Sequence, residues 1–468
     1  MGKLHSHGLI SRLVIAGFFL FGLLPGRNAE LNLFTDAWIE FTAKQSTHGY
    51  DQMGYSVAIN QAADTAVVGV IGHDYPSVND AGAVSLMFAE QPSNWDTLVT
   101  LAELFPESSS KAGFSVAVNS DGSVIAVGAP YRNMLGTDRG CVLVYTRPAG
   151  GWSSPAYPVY LAASDGADND TLGWSVAIDG SGNTIAAGAT SWEGGVDPNR
   201  GAVYVFTKTG ATWSSYSQAI ISLNVANPSK QLGYSVGLSE DGNFLAAGAP
   251  FDSSAMIDTN IGAAYIFRKP VSGWVDTTSF IAKLTASDAN YDYYLGRALA
   301  FSADGSTLAA GSNKGASGSN RGGVYIFEEN SLFGWQTGNE IRKMTANDSI
   351  DGDFLGWSLA LNADGSRLIA GAPFNPGGMD HIQAGAAYVF DRSVFGWGVT
   401  TNYSAKLAFS YTVDYNHMGF SVSTNKDGRY ALVGIPDLDV GSSPSEWDSG
   451  AFVIFLNPTK VYLPIIRK

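Results

Sequence analysis

One short motif, repeated seven times at a nearly constant interval, restricts the possible folds of this chain more than any other feature. The motif is Gly-aromatic-Ser-aliphatic, as in GWSV at residue 173. Its copies lie 59 to 63 residues apart, and they begin at 54, 113, 173, 233, 296, 356 and 419. The copy at 296 is the divergent GRAL. An interval of this length indicates a row or ring of similar structural units rather than unrelated domains.

Each unit consists of short apolar runs separated by turn residues. An Asp-Gly turn follows most tetrads, a second run ends in Gly-Ala-Pro or a variant of it, and a third run resembles GAVYVF (201–206). A tryptophan stands seven or eight residues after the third run in six units. Runs of this composition without helical periodicity indicate strands. Asp-Gly between two runs predicts a hairpin, because glycine adopts positive φ without strain.

The repeats predict an all-β fold, a seven-bladed β-propeller of four-stranded antiparallel blades. A single blade cannot cover both of its faces, whereas seven blades around an axis cover one another. Trp38 precedes the first tetrad as the other tryptophans precede theirs, and the last unit has no tryptophan after it. We therefore predict that a strand around residues 36–42 closes the ring as the outermost strand of the last blade. The C-terminal segment 456–468 is the alternative source of that strand.

The beginning of the chain has the features of a secretory signal. Lys3 and Arg12 form a positively charged region before the apolar run 13–24, and a cleavage site after Ala29 is predicted. An arginine stands where this site prefers a small residue, so an uncleaved anchor at the cell surface is the alternative. We expect a secreted, extracellular protein with no other membrane insertion. The predicted domains are a signal peptide at 1–29, a propeller at 30–457 and a C-terminal tail at 458–468.

The charge balance narrows the range of partners. The chain has 27 Lys and Arg against 42 Asp and Glu, which gives a net charge of −15. This acidity argues against nucleic acid and against adsorption to anionic membranes, since both depend on basic residues. The single cysteine, Cys141, lies in the apolar run CVLVY and cannot form an internal disulfide. We interpret it as a buried small hydrophobic residue rather than a reactive thiol, and we expect a monomer.

The Gly-aromatic and Gly-Ala-Pro elements resemble the FG-GAP repeat, the unit of the integrin α-subunit propeller and of many secreted or surface bacterial proteins. The resemblance covers residues 36–456, and its specificity comes from seven copies in register. The order of elements in WVDTTSFIAKLTASD (274–288) is similar to the bacterial type. The resemblance implies a seven-bladed propeller outside the cell. For integrin-like members it also implies calcium between the first two strands of some blades and ligand binding on the opposite face.

Calcium does not fit the hairpin turns of this sequence well. Such a loop needs carboxylates at its first and last ligand positions, and VNSDGSVIAV (118–127) has neither. Acidic turns elsewhere could hold calcium in an irregular site, or they could be solvated turns in which an aspartate caps the next strand. These turns are SDGADND (164–170), SDANYD (287–292) and ANDSIDGD (346–353). We predict no metal and no cofactor, with calcium as the alternative.

Variable loops between the second and third strands are the predicted binding region, since a rigid scaffold usually presents its ligand-binding residues on loops. Aromatic residues in these loops can stack on sugar rings or anchor a partner. The alternative is that each aromatic packs over its own loop. The candidate ligand-binding residues are Tyr131, Trp192, Phe251, Phe374 and Trp447.

Beyond the signal segment the sequence carries no visible catalytic set, because it lacks HExxH, a close histidine pair and a G-x-S-x-G elbow. The tetrad serines are expected to pack or bond locally. We predict a non-enzymatic binding or adhesion module that recognises an extracellular protein or glycan through its variable loops. One alternative is a propeller lyase or glycosidase with its site at the channel mouth, where Arg139, Arg200 and Arg321 are candidates. The other is a structural extracellular component.

Overall fold

The computed structural model contains seven sheets whose strand order is that of propeller blades. Residues 39–45 and 97 are described in backbone only. The described residues are 39–45, 48–88, 95, 97–101, 105–134, 136–194, 199–215, 218–223, 230–253, 260–314, 320–376, 382–397, 403–408, 414–439 and 448–457. This part of the chain contains strands and turns and no helix. The predicted all-β, seven-bladed propeller is therefore confirmed.

The first four blades follow one another along the chain, and each runs from its innermost to its outermost strand. Blade 1 contains β2 (Met53–Ile59), β3 (Thr65–Val70), β4 (Ala83–Phe88) and β5 (Thr97–Leu101). Blade 2 contains β6 (Ser115–Val118), β7 (Val124–Ala129), β8 (Cys141–Thr146) and β9 (Val159–Leu161). Blade 3 contains β10 (Leu172–Ile178), β11 (Thr184–Ala189), β12 (Ala202–Thr207) and β13 (Gln218–Ile221). Blade 4 contains β14 (Val236–Leu238), β15 (Phe244–Ala249), β16 (Ala263–Arg268) and β17 (Ala282–Thr285).

The last three blades repeat this order, with one small addition and one strand from elsewhere. Blade 5 contains β18 (Leu299–Phe301), β19 (Thr307–Ser312), β20 (Gly323–Glu328) and β22 (Arg342–Met344). The two-residue β21 (Gly338–Asn339) pairs in parallel with β17 of blade 4. Blade 6 contains β23 (Leu359–Leu361), β24 (Arg367–Ala372), β25 (Ala386–Asp391) and β26 (Ala405–Leu407). Blade 7 contains β27 (Val422–Thr424), β28 (Tyr430–Ile435), β29 (Ala451–Leu456) and β1 (Ile39–Gln45).

The outermost strand of blade 7 comes from the beginning of the chain. β1 pairs antiparallel with β29, from Ile39 opposite Leu456 to Gln45 opposite Ala451. This pairing joins two segments that lie more than 400 residues apart in sequence. The alternative source of this strand was the segment 456–468: Leu456 belongs to β29, and residues 458–468 lie outside the described residues, as does the signal segment 1–29.

The hydrophobic core is divided among the blade interfaces. Seven clusters of buried side chains are present in the described residues, and each draws on two neighbouring blades. In β7, Ile125 and Val127 pack towards blade 1, and Ala126 packs towards blade 3. This alternation follows from the two-residue period of a strand. Both faces of the middle strands are covered, so these strands are apolar at nearly every position.

The tetrad serines join the blades to one another. In six blades the serine hydroxyl donates to the tetrad glycine carbonyl of the next blade, as Ser175 Oγ does to Gly233 O at 2.7 Å. In blade 5, Ala298 stands in place of this serine. The expectation that the serines bond locally is therefore wrong. Each acceptor belongs to the next blade, and that blade is close in space only in the folded ring.

Cys141 is fully buried at the start of β8, with no accessible surface. Burial raises the pKa of its thiol to about 12, because a thiolate is poorly solvated among apolar side chains. The interpretation of this cysteine as a buried hydrophobic residue is confirmed.

Candidate binding site at one mouth of the channel

The second residues of the seven tetrads form a closed ring around the propeller axis. The innermost strands contact each other in an unbroken circle. The second tetrad residues lie within two positions of the start of those strands. All seven side chains are half-buried. The ring residues are Tyr55, Phe114, Trp174, Tyr234, Arg297, Trp357 and Phe420.

Neighbouring side chains in the ring are in direct contact. Five aromatic pairs have ring centroids 4.8 to 5.6 Å apart. Arg297 fills the remaining place: its Cζ lies 5.6 Å from the ring centroid of Tyr234 and 3.7 Å from that of Trp357. These are distances at which a guanidinium is attracted to the face of an aromatic ring. Six aromatic residues and one cation therefore surround this mouth of the channel.

The glycine before each ring residue helps to place it. All seven tetrad glycines have φ between 87° and 94°, a backbone conformation that residues with a Cβ rarely adopt. A Cβ on Gly173 would also lie 2.4 Å from the carbonyl oxygen of Cys141. The tetrad therefore begins with glycine for steric reasons, and its second residue is directed to the axis in every blade.

Three of the predicted ligand-binding residues flank this ring. Tyr131, Phe251 and Phe374 each follow the second strand of a blade and contact the ring residue of that same blade. The ring centroids are 6.1 Å apart for Tyr131 and Phe114, and 5.3 Å apart for Phe374 and Trp357. Phe251 lies 6.4 Å from Tyr234. The structure thus brings these three aromatics to one surface, and ligand binding by them stays a prediction.

Of the other two predicted residues, Trp192 packs away from this surface. Trp192 lies one position further along its loop than Tyr131, Phe251 and Phe374 do in theirs. It packs partly against the core between blades 2 and 3, and its Nε1 donates to Asp165 Oδ2 at 3.4 Å. This agrees with the alternative in which an aromatic covers its own neighbourhood. Trp447 lies outside the described residues.

The charge of Arg297 is not balanced by a carboxylate among the described residues. No described acidic side chain lies within ion-pair distance of its guanidinium. Asp437, in the loop after β28, is engaged elsewhere: it accepts a hydrogen bond from Gln52 Nε2 at 3.0 Å, and its Oδ2 lies 2.6 Å from His417 Nδ1. The mouth therefore presents a cation held mainly by aromatic faces.

Tyr55 and Tyr131, which lie at this mouth, remain protonated at neutral pH. Burial raises the pKa of Tyr55 well above its usual value, and the nearby Tyr234 and Tyr131 raise it further. The positive charge of Arg297, on the far side of the ring, lowers the pKa of Tyr55 and so opposes part of this shift. Burial likewise raises the pKa of Tyr131. These hydroxyls can consequently donate hydrogen bonds to a ligand.

The acidic turns considered for calcium are engaged with protein groups. Tyr325 Oη donates to Asp288 Oδ1 at 2.8 Å, and Lys343 Nζ lies 2.5 Å from Asp288 Oδ2. Asp170 Oδ2 accepts a hydrogen bond from the backbone N–H of Ala167 at 2.7 Å, a bond within the turn itself rather than a cap on the next strand. Across the described residues, no group of three or more His, Cys, Asp or Glu side chains is arranged to hold a metal ion.

The three arginines considered for an enzymatic site lie at blade junctions and are not members of the ring. Arg139 Nε pairs with Asp168 Oδ1 at 3.0 Å. The backbone carbonyls of all three accept hydrogen bonds from the residue before the next tetrad glycine. The residues are Arg139, Arg200 and Arg321.

At the opposite end of the channel, backbone hydrogen bonds join neighbouring blades. Six hydrogen bonds of 2.8 to 3.3 Å link the residues that follow the innermost strands, from each blade to the next. The seventh junction is bridged by Asn60 Nδ2, which donates to Ser120 O at 3.4 Å. Ser120 Oγ also donates to Glu240 Oε1 at 3.1 Å across Gly180. A polar cavity of about 160 Å³ lies there, and its lining includes Glu240 and Lys426.

The repeat itself matches a known family at two places. A family model for the FG-GAP repeat matches residues 159–206 and 339–390. FG-GAP repeats are therefore present at these two places. Each matched segment includes the outermost strand of one blade and ends in the third strand of the next. The FG-GAP unit is therefore offset from the blade by one strand, as the position of β1 in blade 7 also requires.

Solved structures support the fold of this FG-GAP propeller and nothing finer. A chain in a structure titled "Crystal Structure of Mitotic Checkpoint Complex" matches with a TM-score of 0.53 and 13% sequence identity. The match covers 96% of this chain and 99% of that one. No curated protein matches the chain in sequence. In the part of the chain that the structure describes, no helix is long and apolar enough to cross a membrane.

Arg297 is the site residue that the sequence-based list of candidates omits. The signal for it is present in the repeat: the second tetrad position is aromatic in six copies and arginine in one. The divergent copy GRAL places an arginine in the ring, at a position where the other six blades carry an aromatic residue.

Proposed function

We propose that this FG-GAP propeller is a binding module that recognises an extracellular protein or glycan through the face that carries the tetrad ring. The observation that carries the proposal is the closed ring of six aromatic side chains and Arg297, flanked by Tyr131, Phe251 and Phe374. Tyrosine, tryptophan and arginine contribute most to binding energy in protein interfaces. Tyrosine and tryptophan do so because they bury a large area at low entropic cost. Aromatic faces also stack on sugar rings.

The proposal includes a location outside the cell. Its support is the charged start and apolar run of residues 1–29, which lie outside the described residues and are typical of an export signal. Attachment to the cell surface by this segment is the alternative. We further propose that the module acts as a monomer and without a cofactor, and that its net charge of −15 disfavours nucleic acid.

A binding screen tests the function directly. The protein would be expressed from the full-length gene, purified in the form that the cell releases, and applied to glycan and extracellular-matrix arrays with calcium and with chelator. We expect retention on a restricted set of ligands. The combined substitutions Y131A, F251A and F374A should weaken that retention at least about tenfold, since each removes an aromatic anchor worth about 1–2 kcal/mol.

Exposed aromatics at the opposite end provide a matched control. Tyr157, Phe333 and Phe395 lie in loops between third and fourth strands, and they are 56%, 72% and 97% exposed. The combined Y157A, F333A and F395A variant should retain the ligand as the unmodified protein does. Equal loss in both triple variants would contradict recognition by the ring face. Polysaccharide turnover without retention would replace the binding module by an enzyme, and loss with chelator would require calcium.

A further inference from the structure

We propose that Arg297 is the receptor for a carboxylate group of the ligand, held at the mouth of the channel between aromatic walls. This inference deepens the proposed function and rests on it. It concerns the one ring position that differs in chemistry from the other six.

Arg297 is held by aromatic rings, and its guanidinium donors have no partner among the described residues. Its guanidinium stacks on Trp357, with Cζ 3.7 Å from the ring centroid. Stacking engages the flat face of the guanidinium, whereas its five N–H donors point outward in its plane. No described residue accepts a hydrogen bond from these donors or forms an ion pair with them. The aromatic neighbours therefore fix the orientation of the group without satisfying its donors.

A half-buried cation in this state lacks part of its solvation. Burial removes water from a charge, and a facing anion with good hydrogen-bond geometry restores the lost interaction. Asp437, whose charge acts on Tyr55, is already bonded to Gln52 and placed against His417. Asp292, close in sequence, accepts hydrogen bonds from Asn260 and Tyr294. Among the described residues, therefore, Arg297 has no counter-anion, and a ligand can supply one.

The surroundings favour a carboxylate on a small apolar or aromatic group. A carboxylate is planar and accepts two parallel N–H bonds from the guanidinium edge. The rings of Trp357, Tyr234 and Phe420 border the same space and suit an apolar body behind the carboxylate. The net charge of −15 disfavours a dianion such as phosphate more than a monoanion.

Benzoate is a suitable probe, because it joins a carboxylate to an aromatic ring, and benzamide is its neutral analogue of the same shape. The full-length protein would be titrated with each compound while the Nε–Hε resonance of Arg297 is followed by NMR. We expect a saturable shift with benzoate and binding of benzamide that is at least about tenfold weaker, the loss typical of a charge-assisted pair. Inorganic phosphate should bind more weakly than benzoate.

Two substitutions separate charge from folding. R297F introduces the kind of residue that the other six blades carry, so it should fold, and it should abolish benzoate binding as measured by calorimetry. R297K keeps the charge but loses the planar fork, and it should weaken benzoate binding severalfold. An unchanged melting temperature of R297F would exclude unfolding as the cause. Equal binding of benzoate and benzamide, or benzoate binding by R297F, would overturn the proposal.

A ligand found in the array screen allows this inference and the proposed function to be tested separately. A ligand that R297F retains fully, and that benzoate does not displace, overturns the carboxylate receptor and leaves the binding module in place. If the screen finds no ligand, the binding module fails, and the benzoate titration still decides whether Arg297 binds a carboxylate.

Discussion

Gly128 and Gly173 face each other across the interface between blades 2 and 3, and neither place accommodates a side chain. A Cβ on Gly128 would lie 1.9 Å from the carbonyl oxygen of Gly173. Gly128 is the glycine of the Gly-Ala-Pro element, and Gly173 begins the next tetrad. All seven blades repeat this contact, with corresponding distances of 1.9 to 2.0 Å. The two halves of the repeat motif are therefore two sides of a single interface.

The substitution G128A should destabilise the propeller strongly. The new methyl group would meet backbone on one side and Ser115 Oγ at 2.3 Å on the other, so relief requires the blades to separate. We expect a loss of about 3 kcal/mol or more, at the upper end of overpacking effects, measured as a lower thermal or urea midpoint. Gly237 is the control, because its Cβ would meet only Phe301 Cδ2 at 3.5 Å. A G128A midpoint equal to that of G237A would refute the interface.

The serine bonds between blades predict two opposite changes. S175A removes the bond from Ser175 Oγ to Gly233 O and should cost about 1 kcal/mol. A298S adds a hydroxyl at the one tetrad that lacks it, where the carbonyl of Gly356 is the corresponding acceptor. It should stabilise by about 0.5–1 kcal/mol. Urea unfolding of both variants checks the pair, and a loss of stability in A298S would mean that blade 5 is spaced differently from the others.

The substitution D170N should stabilise the protein increasingly as the pH rises. Asp170 is 1% exposed, and burial raises its pKa, with Asp165 and Glu193 raising it further against a bond from Ala167 N–H. A raised folded-state pKa gives stability that is present below the usual value of 3.8 and lost as the pH rises through the folded-state value. The difference between D170N and the unmodified protein should be small at pH 3 and favour D170N at pH 7.

Paired urea titrations at several pH values measure this difference, and the titration of other groups cancels in it. Asp353 occupies the same place before the tetrad of blade 6, and burial raises its pKa as well. D353N should therefore change with pH in the same direction. A difference that stays constant with pH, or that reverses its sign, would contradict the environment described for these carboxylates.

The buried pair of Lys230 and Asp252 should be sensitive to the loss of one partner. Lys230 and Asp252 are 4% and 2% exposed and hydrogen-bonded to each other. Lys283 Nζ also lies 2.7 Å from Asp252 Oδ2. Burial alone would raise the pKa of Asp252, yet Lys283 and Lys230 hold it below its usual value. D252N leaves the Lys230 ammonium buried without a counter-charge and should cost about 3–5 kcal/mol.

The double variant tests the cause of that loss. K230M together with D252N removes both buried charges, so most of the stability should return. K230M alone should cost less than D252N, because Asp252 keeps Lys283. Thermal midpoints of the three variants give the comparison, and a double variant as unstable as D252N would show that another role of Asp252 dominates.

The sequence by itself determined the blade count, the strand order within each blade and the apolar strand interiors. These features depend on local patterns, namely the alternation of side chains along a strand and the turn chemistry of Asp-Gly. The aromatic residues Tyr131, Phe251 and Phe374 were also recognisable as a set, because they occupy one position of a repeated unit.

Only the tertiary structure decided which residues meet across the blades. Ser175 reaches Gly233, the carboxylate of Asp288 meets Tyr325, and Trp192 turns away from the surface that Phe251 joins. Arg297 becomes the single cation of an aromatic ring because seven tetrads converge on one axis. Such contacts join residues 27 to 60 positions apart in sequence, and their distances are set by how the blades pack around the axis. No local pattern encodes those distances, so the role of the divergent tetrad becomes visible only in the assembled propeller.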